Sequence, residues 1–147
     1  MIVCDEELQF AMRNEYYKEG VTLAATDGSV KEDGKMGAAA VAWNNAFPVQ
    51  VQGVEGPPSS TAAELVGLNL AVTAAERGKP LTILTDSQTS LLNLIANQKR
   101  EHQFFKRKPA TSGKLNRLIA NLNAKADDGT ALILVKVKSH ERGTGLQ

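Results

Sequence analysis

The apolar residues of this chain change period between residues 54 and 61, and that change constrains the fold more than any other feature. Before it, residues 21–26, 37–43 and 49–54 are short β-prone runs, separated by the turn-forming dipeptides Asp33-Gly34 and Asn44-Asn45. Runs of this kind with short turns predict a three-stranded antiparallel meander. Gly56-Pro57-Pro58 then stops the sheet, because proline cannot donate to a ladder. After it, residues 61–77 place Leu65, Leu68, Val72 and Ala75 on one helical stripe, with Gly78 as the expected stop. Residues 81–85 read as a short buried strand and 87–97 as a second helix with Leu91, Leu94 and Ile95 on its apolar face. Residues 113–126 read as a third helix, carrying Leu115, Leu118, Ile119 and Leu122, and 131–137 as a last strand. Strands joined through helices must cross over and pair in parallel. The expectation is an α/β fold: a mixed five-stranded sheet, three antiparallel strands followed by parallel crossovers, flanked by helices.

The 147 residues amount to one ordinary domain. Residues 1–20 are expected to form an N-terminal extension, polar and mildly helical with Leu8, Ala11, Met12 and Tyr16 at helix spacing, and 21–147 the domain proper. The longest apolar runs, 37–43 and 131–135, fall well below the ~20 residues that a bilayer requires, so no membrane partner is expected. Residues 1–13 carry Asp5, Glu6 and Glu7 and lack the basic start of a secretory signal. The single cysteine, Cys4, excludes an intrachain disulfide and a cysteine-based zinc site, and fits a reducing intracellular compartment, cytoplasmic or nuclear. Nothing in the pattern sets an oligomeric state.

Net charge becomes informative when it is divided. Residues 99–117 hold Lys99, Arg100, Lys106, Arg107, Lys108, Lys114 and Arg117 against Glu101 alone, a net +6 in a chain whose total is +1, which leaves the remainder at −5. Phe104 and Phe105 interrupt the run, and Pro109 is expected to break it. So concentrated a basic stretch predicts contact with phosphates, the competing reading being a solvated charged loop.

Three carboxylates stand at element ends. Asp27, in Thr26-Asp27-Gly28-Ser29, is expected to end the first strand, where an aspartate before glycine also suits a plain turn. Glu64 opens the first helix, and Thr61-Ala62-Ala63-Glu64 has the form of a capping box. Its spacing to Leu68, Ala71 and Ala75 nonetheless puts it at the border of the sheet-facing stripe. Asp86, in Thr85-Asp86-Ser87-Gln88, ends the fourth strand and could simply cap the next helix. In an open α/β sheet the strand ends form the ligand crevice. Carboxylates converging there repel one another unless a cation is present, and hard divalent ions take carboxylate oxygens.

Thr26-Asp27-Gly28-Ser29, Ala63-Glu64-Leu65, Leu84-Thr85-Asp86-Ser87-Gln88 and Val137-Lys138-Ser139-His140, in this order, resemble type 1 ribonuclease H of the cellular or retroelement branch, over residues 21–140. The resemblance implies a metal-dependent endonuclease that hydrolyses the RNA strand of RNA–DNA hybrids and leaves 3′-hydroxyl and 5′-phosphate ends. It implies Asp27, Glu64 and Asp86 as catalytic metal ligands for two Mg²⁺ ions, with Mn²⁺ as a substitute. His140 matches the family's loop histidine, assisting proton transfer or product release; read on its own it is a solvated loop residue. Ser29, Ser59, Ser60, Thr61 and Gln88 match hybrid-contacting positions, with plain helix capping as the other reading of Ser59, Ser60 and Thr61. Lys99, Arg100, Lys106, Arg107 and Lys108 fall where family members carry a basic protrusion that grips the DNA strand.

The family pattern continues with a fourth aspartate about ten residues after the loop histidine, at the start of a last helix. Here His140 is followed by Glu141-Arg142-Gly143-Thr144-Gly145-Leu146-Gln147. The expectation is a C-terminally truncated domain that lacks the last helix, leaves apolar sheet surface exposed, binds metal more weakly and keeps residues 140–147 mobile. A second reading follows: a ribonuclease-H-like nucleic-acid-binding module with little or no turnover. A third, a DNA-cleaving relative of the same fold, is disfavoured by Thr85-Asp86-Ser87-Gln88.

Overall fold

The computed structural model describes residues 2–4, 20–86, 109–127 and 132–136. Their strands are β1 (Ile2–Cys4), β2 (Thr22–Val30), β3 (Met36–Ala42), β4 (Gln50–Val54), β5 (Leu81–Thr85) and β6 (Leu132–Lys136). The helices among the described residues are α1 (Ser60–Ala74) and α2 (Pro109–Asp127), with a 3-10 turn at Trp43–Asn45. The sheet order is β1-β6-β5-β2-β3-β4. β2, β3 and β4 pair antiparallel, and β2, β5 and β6 pair parallel. This is the expected five-stranded mixed sheet, and a short strand from the N-terminal extension joins it, β1 pairing parallel with β6. No helix among the described residues is long and apolar enough to cross a membrane.

Local chemistry explains most of the boundaries. The β2–β3 hairpin turns at Gly34, whose φ of 85° suits a residue without a side chain, and Asp33 Oδ1 accepts from the Lys35 N–H. Asn44 and Asn45 take the left-handed values (φ 56° and 54°) that asparagine tolerates, which ends β3. Some boundaries depart from expectation. β2 does not stop at residue 26: pairing continues to Val30↔Met36, because β3 supplies partners along the whole hairpin, so Asp27 lies inside the strand opposite Ala39. Pro109 does not break the basic stretch; it opens α2, since proline suits the first helical position, where its missing N–H has no partner to lose.

α1 ends at Ala74, short of the expected residue 77. Ala75 is extended (ψ 143°), and its carbonyl accepts from Nζ of Lys125, which reaches across from α2. A tertiary donor thus satisfies a carbonyl at the helix end. The anticipated stripe is buried in full: Leu65, Leu68, Val72 and Ala75 pack with Leu115, Leu118 and Leu122 of α2 and with Leu81, Ile83 and Leu134 of the sheet. Asn121 Nδ2 donates to Asn69 Oδ1 between the helices.

The other sheet face carries a second cluster, Leu23, Leu84 and Val135, with Ala25, Trp43 and Ile133 against it. All three central residues are buried. Exposed apolar surface on this face lies toward β3 and β4, at Val41 and Val51, the latter 77% exposed. The expected helix over 87–97, most of the basic stretch and residues 140–147 lie outside the described residues.

Candidate metal centre

Asp27, Glu64 and Asp86 come from three elements and converge. Asp27 projects from β2 and is exposed; Glu64 sits in the second turn of α1 and Asp86 directly follows β5, both half-buried. One carboxylate oxygen from each lies within 4.8 Å of the other two. The parallel pairing of β2 with β5 places the two aspartates side by side, and α1, packed across β2, lowers the glutamate onto them.

Glu64 is not a capping residue. Ser59 caps α1, its Oγ accepting from the Ala62 N–H at 3.1 Å, which puts Glu64 two positions past the place a capping box requires. Its Oε2 is buried without a hydrogen-bond partner. Burial first, then the charge of Asp86, then that of Asp27, push the Glu64 pKa from 4.5 up to about 8; the Gly28 backbone N–H, turned toward the carboxylate, works against the rise. A buried, unsatisfied oxygen beside two further carboxylates is a site short of positive charge. The donor set is all hard oxygen and fits a divalent ion such as Mg²⁺ or Mn²⁺.

Two glycines were not singled out by the sequence reading. A Cβ at Gly28 would lie 2.4 Å from the Ala63 carbonyl carbon, and one at Gly67 would lie 3.0 Å from the Asp27 carbonyl oxygen. The available signal was Gly67 itself, since glycine inside a helix costs about 1 kcal/mol relative to alanine and demands a reason. The serines gather at the same elements: Ser29 is exposed on β2, two residues past Asp27, Ser59 caps α1, and Ser60 and Thr61 form its first turn. Gln88, Lys99, Arg100, Lys106, Arg107, Lys108 and His140 lie outside the described residues. The C-terminal part of the basic stretch is described. Lys114 and Arg117 of α2 line a groove of about 470 Å³ with Gln52, Val54 and Glu55 of the β4 end and Val66 of α1. The approach of α2 to β4, more than fifty residues apart in sequence, left no local signal.

A sequence model of the family described as RNase H matches residues 19–145. Among solved structures, ribonuclease H1 from the halophilic archaeon Halobacterium salinarum is similar in fold, with a TM-score of 0.57 and 19% identity, covering 81% of this chain and 86% of that one. A comparison with curated protein sequences gave no significant match.

Proposed function

Since the chain belongs to the ribonuclease H family, we propose that it is a metal-dependent endonuclease that hydrolyses the RNA strand of RNA–DNA hybrids. The observation that carries this reading is the cluster of Asp27, Glu64 and Asp86 with its unpartnered Glu64 oxygen. These three would hold two Mg²⁺ ions, or Mn²⁺ in their place. Such ions supply an activated water and neutralise charge at the scissile phosphate. Without metal, Glu64 keeps its proton up to about pH 8, and it would release that proton to hold the ions.

The remaining roles fall to the chain's own polar groups. The hydroxyls of Ser29, Ser60 and Thr61 would meet the RNA strand, where a 2′-hydroxyl distinguishes it from DNA. Ser59 Oγ accepts from Ala62, and its O–H remains able to donate to a phosphate oxygen. Gln88 would contact the hybrid beside Asp86. Lys99, Arg100, Lys106, Arg107 and Lys108 would hold the DNA strand by charge. His140 would move a proton during turnover or product release.

The test is cleavage of a labelled RNA–DNA hybrid in Mg²⁺, in Mn²⁺ and in EDTA. The expected result is metal-dependent cleavage of the RNA strand alone, leaving 5′-phosphate and 3′-hydroxyl ends. Hybrid binding with no cleavage in either metal would replace this reading with that of a nucleic-acid-binding module.

A further inference from the structure

We infer that Gly28 is a positioning residue for Glu64: its missing side chain lets β2 touch the first turns of α1, and this contact sets where the Glu64 carboxylate stands relative to Asp27 and Asp86. A Cβ at position 28 would lie 2.4 Å from the carbonyl carbon of Ala63, 2.5 Å from the nitrogen of Glu64 and 2.7 Å from the carbonyl oxygen of Ala63. All three are backbone atoms, so no rotamer change relieves the overlap; strand and helix must separate. Gly67, one turn further along α1, repeats the contact, with 3.0 Å from its would-be Cβ to the Asp27 carbonyl oxygen. Residues 63, 64 and 67 of the helix therefore rest on residues 27 and 28 of the strand, and the two glycines bracket the Asp27–Glu64 pair.

Neither glycine is there for its backbone angles, since neither adopts the left-handed region that Gly34 and Gly78 occupy. Close approach is the remaining reason, and it acts where precision matters. Carboxylate oxygens bind Mg²⁺ at about 2.0–2.1 Å, so a shift of α1 by a fraction of the Cβ overlap moves Glu64 out of range. The Gly28 N–H adds direction, because it is turned toward the Glu64 carboxylate.

This inference rests on the metal-site reading above, and its test separates the two. Three variants are compared: Gly28→Ala, Gly67→Ala, and as control Gly53→Ala, where an added Cβ meets nothing within 4 Å. Mn²⁺ affinity is measured by calorimetry well below each melting temperature, and the amide resonances of Ala63 and Glu64 are followed without metal. Gly28→Ala should weaken Mn²⁺ binding about tenfold or more, as supporting residues around metal ligands do. Gly67→Ala should weaken it less, and Gly53→Ala should leave it unchanged. Both resonances should move in Gly28→Ala and stay in Gly53→Ala. A folded Gly28→Ala with the parent's Mn²⁺ affinity overturns the inference. Should Gly28→Ala fail to fold, the parent's affinity in Gly67→Ala overturns it equally. If the parent chain takes up no Mn²⁺, the metal reading fails, and an unmoved Glu64 resonance in Gly28→Ala then disposes of the positioning role as well.

Discussion

The carboxylates of Glu64 and Asp86 lie within 4.8 Å of one another, and the charge of Asp86 is, after burial, the largest reason that Glu64 holds its proton up to about pH 8. The unfolded chain releases that proton near 4.5, so between about 4.5 and 8 the native state binds a proton that the unfolded state does not. Stability from this group therefore falls as pH rises through that window and levels off above it. Denaturant titrations of the metal-free protein at pH 5.5 and 8.5 will measure the fall. Glu64→Gln should flatten it, and an identical pH profile in that variant would show that Glu64 is not the group responsible.

Asp86→Asn keeps the shape of the side chain and removes its charge. The metal-free protein should become more stable above pH 7, because one repulsion at the cluster is gone. Its melting temperature should rise by about 2–4 °C for each kcal/mol relieved. Hybrid cleavage should fall by at least two orders of magnitude, and a variant that cleaves at the parent rate would remove Asp86 from the reaction.

Metal and proton compete for the same oxygens. Mn²⁺ or Mg²⁺ at a hundred times its dissociation constant should stabilise the fold by about 2.7 kcal/mol, since the unfolded chain has no such site. The gain at one fixed metal concentration should be larger at pH 8.5 than at pH 6, because Glu64 must first give up its proton. Thermal melts at the two pH values, with metal and with EDTA, read this out directly. Equal shifts at both would detach Glu64 from the ion.

How far the sequence could be read follows from the reach of each signal. Leu81–Thr85 was legible to the residue, because five consecutive buried positions between turn formers leave little choice. The stripe of Leu65, Leu68, Val72 and Ala75 was legible because it repeats every three or four residues. Asp-Gly-Ser has the local statistics of a turn, which points to a strand end at Asp27, while its actual conformation is fixed by pairing with Ala39 on the facing strand. The early end of α1 was hidden for the same reason, since the Lys125–Ala75 bond spans fifty residues. The convergence of the three carboxylates was legible only through order and spacing. Thr61-Ala62-Ala63-Glu64 forms no capping box because Ser59, two positions ahead of Thr61, takes the cap.

Binding of the hybrid should weaken steeply with salt, by about 0.9 in log–log slope for each phosphate neutralised on duplex DNA. Replacing Lys106, Arg107 and Lys108 together by alanine should reduce that slope. Fluorescence anisotropy across a salt series measures both affinity and slope. A slope equal to the parent's would reassign the stretch to a solvated loop.

Lys125 offers a contrast between two kinds of lysine. It is only 8% exposed, stands in the last turn of α2 and donates to the Ala75 carbonyl at the end of α1, so its charge lies near the negative ends of both helix dipoles. Lys125→Met keeps much of the aliphatic stem and leaves that carbonyl without its donor, a loss of about 1–3 kcal/mol. Lys79 makes the opposite case. Its ion pair with Glu76, at 3.1 Å, joins side chains that are 52% and 64% exposed, where water screens most of the attraction. Lys79→Met should therefore leave the melting temperature nearly unchanged, while Lys125→Met lowers it by several degrees and Lys125→Arg recovers part of the loss. Cleavage per folded molecule at 25 °C should be the same in all three, because neither lysine lies near Asp27, Glu64 and Asp86. Equal melting temperatures for Lys79→Met and Lys125→Met would mean that the Ala75 carbonyl finds another donor when Lys125 is removed.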